Sequence, residues 1–367
     1  MAGVYISYPF CTQKCTFCNF ASDVHSGDIR ERYETALLEE LSGHEWLWQP
    51  ETVYFGGGTP SLMPRDFLRK LMAAIPGGCL REVTLECAPG TLRRDSIRDW
   101  MACGVDRVSL GVQSFVTEEL RQTGRRHTAA TVEADLQLLR ESGLLNINID
   151  LIAGLPGQSQ KSWGQSLDWI ERFAPPHVSV YIFEIDEESR LGNEIILGGE
   201  RYGANRVPDD GLVAELYERA VARLKNLGIE RYEISNFART GWESLHNLKY
   251  WKLEPYAGFG LDAHSFDGEH RWSNPDRLDA YLLDAHLVDA HLGERQIECT
   301  ASDRGEEHFF VGLRLMEGIE PTPDEWTRFE QPIQKWVRAG MLQKDDSRLR
   351  LSPEAVLVSN EIFQDFL

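Results

Sequence analysis

Basic residues are scarce in this sequence. Its 367 residues include 38 Lys and Arg against 58 Asp and Glu, which gives a formal net charge of −20. Sequence-independent binding of nucleic acid requires clustered Lys and Arg to neutralise phosphates, and this excess of carboxylates would oppose it. We therefore expect no nucleic-acid partner.

Long apolar runs are also missing. No run reaches the roughly 18 residues that would span a bilayer. The N-terminal stretch, MAGVYISYPF, lacks the basic segment and apolar core that are typical of a signal peptide. The sequence therefore predicts a cytoplasmic protein without an anchor, which makes at most transient contact with a membrane.

Cysteine is rare, with seven residues that do not follow the regular spacing of a disulfide scaffold. This usage is typical of reduced thiols in a reducing compartment. Four of the cysteines are isolated, and we expect Cys79, Cys87, Cys103 and Cys299 to be buried as small hydrophobic side chains. The other three are crowded into CTQKCTFC, residues 11–18.

Short apolar runs alternate with amphipathic stretches through the first half of the chain. Six runs predict strands: GVYIS, TVYF, EVTLE, DRVSLGV, NINIDLI and HVSVYIF. Arg30 to Leu41, Pro64 to Ala74 and Thr128 to Ser142 predict helices between them. This order predicts an α/β fold, a partial TIM-like (βα)6 barrel whose site lies at the carboxyl ends of its strands.

Unusual polar residues fall where these strands end. Cys11 follows the first strand and glycines 56–58 follow the second, whereas Glu86, Gln113 and Asp150 end the third, fourth and fifth. Because parallel strands end at the same edge of a barrel, we expect these residues to share one rim.

The strand-helix alternation breaks near residue 235. We therefore divide the chain into a barrel, residues 1–235, and a smaller C-terminal region, residues 236–367. The end of this region reads MLQKDDSRLRLSPEAVLVSNEIFQDFL and predicts a helix end, a tight strand pair and a final helix. That winged-helix-like arrangement is often found in DNA-binding proteins, but the acidic composition favours packing on the barrel.

The crowded cysteines have the spacing C-x3-C-x2-C, which brings three thiolates together on one loop. Soft sulfur ligands suit an iron-sulfur cluster or zinc. A structural zinc requires a fourth Cys or His, for which His25 is the available candidate because no second cysteine pair follows. Three ligands on a four-iron cluster would instead leave one iron open to a substrate or cofactor.

This spacing after a first strand resembles the radical S-adenosylmethionine (SAM) superfamily, in which SAM binds the open iron through its amino and carboxylate groups. Most of the chain resembles, block by block, the oxygen-independent coproporphyrinogen oxidase family. The blocks are YISYPFCTQKCTFCNF, YFGGGTPSL, TLECAPG, VSLGVQSF, LRQTGRRH and NIDLIAGLPGQ.

The resemblance implies which residues hold the cofactors. It assigns a 4Fe-4S cluster to Cys11, Cys15 and Cys18. It assigns one or two SAM sites to Tyr5, Phe17, Gly57, Gly58, Thr59, Glu86, Gln113, Arg125 and Asp150. These roles are chemically reasonable, because carboxylates accept from ribose hydroxyls or an ammonium group and a guanidinium pairs with a carboxylate.

Two positions depart from the family pattern. Ser7 stands where the family has a histidine, and Phe20 stands where the oxidases have a further cysteine. The second departure resembles the heme chaperone branch of the family, the HemW type. That branch also carries a His-Asn-x-x-Tyr-Trp motif, which is complete here as HNLKYW, residues 246–251.

The HNLKYW motif supports two interpretations. By resemblance, His246 would ligate heme iron while Tyr250 or Trp251 stacks on the porphyrin. Judged by composition alone, the aromatic residues would instead close one end of the barrel. We expect the remaining histidines, namely His264, His270, His286 and His291, to be surface or hydrogen-bonded core residues.

The resemblance implies a heme chaperone that binds heme, a 4Fe-4S cluster and SAM and transfers heme to acceptor proteins. The alternative is an enzyme that decarboxylates the propionates of coproporphyrinogen III by a 5'-deoxyadenosyl radical, and radical SAM chemistry on another substrate stays open. No catalytic residue is identified for either reaction. Cluster reduction would require a low-potential partner such as flavodoxin or ferredoxin.

Overall fold

The computed structural model describes residues 2–284 and 304–367 of the chain. Cys299, His286 and His291 lie outside these ranges, so the expectations for them stay predictions.

The described residues form one large sheet and one small one. The strands of the large sheet are β1 (Ala2–Tyr8), β2 (Pro50–Gly57), β3 (Glu82–Cys87), β4 (Arg107–Gln113), β5 (Asn146–Ala153), β6 (His177–Ile182), β7 (Glu230–Arg231), β8 (Asn236–Ala238), β9 (Tyr256–Phe259), β10 (His264–Phe266) and β11 (Arg271–Ser273). Their order is β11-β10-β9-β1-β2-β3-β4-β5-β6-β8-β7. Neighbours from β9 to β6 are parallel, and the pairs at both edges are antiparallel.

Helices connect most of these strands and build the C-terminal region. They are α1 (Gly27–Gly43), α2 (Arg65–Ala74), α3 (Arg94–Ala102), α4 (Thr117–Gln122), α5 (Ala129–Glu141), α6 (Gln160–Phe173), α7 (Arg190–Ile196), α8 (Asp210–Asn226), α9 (Leu245–Trp251), α10 (Leu278–Asp284), α11 (Arg304–Gly312), α12 (Pro323–Arg328), α13 (Glu330–Arg338) and α14 (Ser359–Gln364). Among the helices described, none combines the length and apolar character needed to cross a membrane.

The two faces of the parallel sheet differ in polarity because successive side chains of a strand point to opposite sides. On one face, Val4 and Ile6 of β1 and Leu110 of β4 are completely buried. They belong to the same apolar core as Leu37 of α1. Burial of such side chains contributes about 1.5–3 kcal/mol each, so this face supplies much of the stability of the fold.

The other face is unusually polar. Its residues include Thr52, Tyr54, Glu82, Thr84, Glu86, Arg107, Ser109, Asn148, Asp150, His177 and Ser179. They bond to one another across strands: the Asn148 side-chain amide donates to the hydroxyls of Ser109 and Ser179 at 2.8 and 3.0 Å. This polar face surrounds the interior of the partial barrel, and its carboxyl-terminal half provides the walls of a cavity.

The six predicted strands are confirmed as β1 to β6, and the three predicted helices are confirmed as α1, α2 and α5 with ends that shift by up to three residues. The parallel arrangement goes one strand further than predicted, because Gly3 to Ile6 pair with Tyr256 to Phe259 of β9. The run YAGF is too short to be recognised as a strand without its partner.

The predicted domain limit between residues 235 and 236 does not coincide with a break in the sheet. Strand β8 begins at Asn236 and pairs with β6, and β9 pairs with β1 on the opposite side. The sheet therefore takes in residues up to Ser273, and the helical C-terminal region begins after it.

The end of the chain has the predicted order of elements. After α13, β12 (Leu342–Lys344) and β13 (Leu349–Leu351) form an antiparallel pair, which a 3₁₀ turn and α14 follow. Rings of Phe309, Phe329 and Phe366 pack together in its core, with centroids 4.5–5.7 Å apart.

The isolated cysteines differ in exposure. Cys87 is buried as predicted. Cys79 is exposed and Cys103 is partly exposed, so the prediction of burial was wrong for these two. Cys79 lies in the connection between α2 and β3, directly after the exposed Gly77 and Gly78, and Cys103 directly follows the end of α3.

Candidate functional site

A cavity of about 770 Å³ opens at the carboxyl ends of β1 to β6. Its size lies within the range of pockets that hold cofactors or drug-sized ligands. Its lining includes the cysteine loop, the ends of strands β2 to β6 and a segment near the C-terminus. The predicted rim is therefore a real concave site.

The three cysteines of the CTQKCTFC loop all line this cavity. The loop is held in place by backbone bonds from Cys11 N to the Asp23 carbonyl at 3.0 Å and from Thr16 N to the Thr123 carbonyl at 3.1 Å. Thr59 adds a hydroxyl that donates to Cys11 Sγ at 3.7 Å. The local sequence thus presents three sulfur atoms on one short, anchored segment.

The donor set fits an iron-sulfur cluster. Burial raises the pKa of the Cys11 and Cys18 thiols, so their thiolates require a nearby positive charge such as iron supplies. Within residues 2–284 and 304–367, no three His, Cys, Asp or Glu side chains converge as ligands of a single metal ion. A zinc ion needs such convergence, with sulfur at about 2.3 Å, whereas a cluster spreads its thiolates over several irons.

His25 does not complete a zinc site with these cysteines. Its ring packs edge-on against Phe10 with centroids 5.7 Å apart, and it is not part of the cavity lining. The structure therefore favours the cluster over the zinc alternative.

Two polar atoms on the cavity wall fit a ligand that carries both donors and acceptors. Gln113 Oε1 and Arg125 Nε are buried and have no hydrogen-bond partner within the described part of the chain. Arg125 is oriented by its Nη1, which donates to the Gly111 carbonyl at 2.9 Å. Buried groups of this kind are costly when unpaired, so they indicate where a polar cofactor such as SAM would bind.

The carboxylates of Glu86 and Asp150 stand on β3 and β5, the two strands that flank β4 in the wall. Tyr54 donates its hydroxyl to Glu86 at 2.8 Å, and Ser109 and Asn148 donate to Asp150 at 3.1 and 2.6 Å. Burial is the main cause that raises the pKa of Glu86, to about 7, with a further contribution from Asp150. Burial also raises the pKa of Asp150. Asp150 lies three residues before the end of β5, not at its end as predicted.

The glycines after β2 allow this strand to approach the cysteine loop closely. Gly57 has φ +99°, and a Cβ atom on Gly58 would lie 2.8 Å from Phe10 N. Gly58 N also donates to the Tyr8 carbonyl at 3.0 Å. Residues with side chains would separate β2 from the loop, so the glycines hold the two walls of the cavity together.

Ser7 has little space around it. A Cβ on Gly57 would lie 2.9 Å from Ser7 Oγ, and a Cβ on Gly260 would lie 2.8 Å from the Ser7 carbonyl. The small side chain at this position therefore suits the tight packing of β1 beside β2 in this chain.

The structure brings together most of the predicted SAM residues. Phe17, Gly57, Gly58, Thr59, Glu86, Gln113, Arg125 and Asp150 all line the cavity. Tyr5 does not belong to the lining, and its ring stacks on Tyr54 of the inner face with a centroid distance of 6.1 Å. Tyr5 would therefore affect a ligand in the cavity through neighbouring residues and not by direct contact.

The HNLKYW motif lies elsewhere, on α9 at the amino ends of the strands. His246 is 1% exposed and is not part of the cavity lining. Its Nδ1 shares a hydrogen bond with Thr52 Oγ1 at 2.9 Å, and its Nε2 shares one with the Tyr250 hydroxyl at 2.8 Å. Burial lowers the pKa of His246 to about 3, so the imidazole is neutral.

The charge of a buried carboxylate fixes this helix. Glu82, at the start of β3, accepts from the backbone N–H groups of Leu245 and His246 at 3.0 and 2.9 Å and from Ser244 Oγ at 3.3 Å. These bonds satisfy free donors at the N-terminus of α9. The observed role of the motif is thus to close the barrel, which is the interpretation from composition. Ligation of heme by His246 would require α9 to open.

Sequence reasoning missed the far wall of the cavity. Tyr181, Ile182, Arg314, Val356 and Leu357 all line it. Apolar residues at the end of a strand or in a turn and a single arginine in a helical region give no sequence signal for a site. The C-terminal residues reach the cavity through tertiary contacts, among them the bridge between Leu315 and Glu233 and the contact of Arg314 with Trp251.

Comparisons with known proteins agree with this site. The model of the radical SAM superfamily matches residues 5–170, and that of the HemN C-terminal domain matches residues 299–358. The chain is 31% identical to heme chaperone HemW of Bacillus subtilis, over all of this chain and 99% of that protein. It is 32% identical to heme chaperone HemW of Escherichia coli, over 86% of this chain and 83% of that protein.

Relatives also occur in animals, and a solved structure shares the fold. Radical S-adenosyl methionine domain-containing protein 1, mitochondrial, of Bos taurus is 30% identical over all of this chain and 87% of that protein. The structure of coproporphyrinogen III oxidase (HemN) from Escherichia coli superposes with a TM-score of 0.84 at 21% identity and covers all of this chain and 89% of that one. The cysteine loop, the cavity and the full-length similarity together show that this chain belongs to the HemW family of radical SAM proteins.

Proposed function

We propose that the protein is a heme chaperone, which binds heme and passes it to acceptor proteins. The observation that carries this proposal is the similarity to relatives named heme chaperone HemW, which extends over the whole chain. Phe20 supports it, because the oxidases of the family have a cysteine at this position. The Phe20 side chain is 61% exposed and lines the cavity.

The chain also has the residues for the cofactors of its superfamily. Cys11, Cys15 and Cys18 would hold a 4Fe-4S cluster. Gln113 Oε1 and Arg125 Nε, which lack partners among the described residues, would form hydrogen bonds with SAM. When bound, this pair of cofactors supplies one-electron reductive chemistry.

The wall residues orient a ligand in the cavity. Arg125 provides a charged donor for a carboxylate, and Glu86 and Asp150 provide acceptors for hydroxyl or ammonium groups. The pKa of Glu86 is raised to about 7, so its charged form is disfavoured and a nearby cationic ligand would stabilise it, which makes this carboxyl suited to the ammonium group of SAM.

The cysteine loop is tied to the opposite side of the cavity. The Asn19 side-chain amide donates to Asp186 at 2.7 Å, and Leu191 N donates to the Thr16 carbonyl at 2.7 Å. These bonds join the segment after β1 to the segment after β6.

Several partners follow from this function. The protein would exchange heme with acceptor proteins and receive electrons from a low-potential donor such as flavodoxin or ferredoxin. We infer a cytoplasmic location with at most transient contact with membranes, and no nucleic-acid partner because the net charge is −20. The barrel would carry the cofactors, and the C-terminal region would complete the cavity.

The experiment that tests the function is an anaerobic titration of the cluster-loaded protein with heme, followed through the Soret band. We expect saturable binding, followed by transfer of the heme to an apo-hemoprotein. In parallel, the reduced protein with SAM is incubated with coproporphyrinogen III, and the product masses are measured. Absence of heme binding together with loss of carbon dioxide from coproporphyrinogen would overturn the proposal in favour of the decarboxylase.

A further inference from the structure

Arg314 is a partly buried cation on the cavity wall, and no carboxylate of the described residues lies at salt-bridge distance from its guanidinium. Its backbone N–H donates to the Val311 carbonyl at 3.3 Å, but its guanidinium makes no salt bridge or hydrogen bond with the residues that the structure describes. Its guanidinium is held instead between two rings, 5.4 Å from the centroid of Trp251 and 5.3 Å from that of Phe363. Burial lowers the pKa of Arg314, against the opposing influence of Glu233 and Glu184.

The charges of Glu233 and Glu184 act on Arg314, but neither carboxylate forms a salt bridge with it within the described part of the chain. The Glu233 carboxylate instead accepts from Ser235 N at 3.1 Å and from the side-chain amide of Asn236. Burial also raises its pKa, which weakens its charge. Arg314 thus has positive charge to offer to an anionic group that enters the cavity.

Apolar and aromatic side chains line the same cavity as Arg314. Tyr181 is 41% exposed and Ile182 is 36% exposed, and Val356 and Leu357 of the C-terminal segment also belong to the lining. Apolar side chains that remain exposed inside a concave site indicate a ligand with an apolar body. An adjacent arginine indicates that this ligand also carries an anionic group.

We propose that this wall is the heme site: the porphyrin face lies on Tyr181, Ile182 and Leu357, and a heme propionate pairs with Arg314. The inference rests on the proposed function and names the place where the heme binds. It requires no change at α9, where both nitrogens of His246 are already bonded. It also gives the HNLKYW motif an indirect part, because its last residue, Trp251, stacks on Arg314.

The test is a heme titration of the cluster-loaded full-length chain under anaerobic conditions. The variants are Arg314→Gln, Arg314→Lys and, as the matched control, Arg338→Gln, which changes an exposed arginine outside the cavity lining. We expect Arg314→Gln to raise the Kd for heme about 10- to 100-fold, as for the loss of a charged hydrogen bond. Arg314→Lys should retain part of the affinity, and Arg338→Gln should match the wild type.

A second ligand separates a direct contact from a structural effect. Heme dimethyl ester lacks the propionate charge, so wild type and Arg314→Gln should bind it with equal affinity. An equal penalty of Arg314→Gln for both ligands would overturn the pairing, as would weaker binding of SAM without a change for heme. If wild type binds heme and Arg314→Gln binds it as tightly, the placement fails and the chaperone function stands; if wild type binds no heme, both fail.

Discussion

Replacement of His246 by alanine separates a structural role of the HNLKYW motif from a heme-binding role. The change removes a buried imidazole and leaves two hydroxyls, those of Thr52 and Tyr250, without their partner. Each unsatisfied buried group costs about 1–3 kcal/mol. The void left by the ring adds to this, so we expect a loss of about 3–5 kcal/mol in the free energy of unfolding.

The assay is a denaturant titration of wild type and His246→Ala, with the Kd for heme measured on the same samples at a temperature where both are folded. His270→Ala serves as the control, since this histidine is exposed and its ring bonds to nearby Asp267 alone among the residues that the structure describes. We expect a lower unfolding midpoint for His246→Ala and an unchanged Kd for heme. An unchanged midpoint together with lost heme binding would refute the reasoning and identify His246 as an iron ligand.

Because His246 is neutral in the folded chain, its contribution to stability is expected to depend on pH. Its pKa is about 3 in the folded chain, against an ordinary value of about 6.5. The contribution of this group to stability is therefore fully present above about pH 6.5 and is lost as the pH falls toward 3. The stability difference between wild type and His246→Ala should shrink over that interval, which the same titrations at several pH values would measure.

Three further changes probe the cavity. Anaerobic reconstitution of the wild type should give roughly four irons per chain, and Cys15→Ala should abolish this iron content, as measured by iron analysis. A protein that instead holds one zinc ion would contradict the cluster assignment. Glu86→Gln should weaken SAM binding yet stabilise the fold above pH 7, because the raised pKa of Glu86 makes its charged form unfavourable there. The gain is at most about 3 kcal/mol, reduced by water in the cavity, and equal unfolding midpoints of both proteins at pH 8.5 would contradict it. Gly58→Ala would place a Cβ 2.8 Å from Phe10 N, so it should lower iron content and thermal stability, whereas Gly78→Ala, where a Cβ meets no atom within 4 Å, should not.

The rim residues could be predicted because their positions follow from local pattern. An apolar or alternating run predicts a strand, and the polar residue that follows it marks where the strand ends. The side chain of that polar residue is therefore expected at the rim. Cys11, Glu86 and Gln113 were located in this way, and the cavity contains all three. The spacing of the cysteines acts over a single loop, so it too is readable without tertiary structure.

The HNLKYW motif shows where such reasoning stops. Its histidine and aromatic residues suit a heme site by chemistry, but a motif does not state which residues surround it. One partner of His246 is Thr52, almost 200 positions away in the chain, and Glu82 fixes the helix through its backbone. The choice between a ligand and a buried structural residue depends on these distant contacts.

The sequence by itself determined the order of strands and helices, the loop with three sulfur atoms and the acidic surface, since each depends on neighbouring residues or on composition. The tertiary structure alone decided that α9 closes the amino end of the barrel, that β9 extends the parallel sheet, and that Arg314 meets the cavity. These features depend on pairings between residues far apart in the chain, and burial and charge at such contacts are properties of the packed fold that no local stretch encodes.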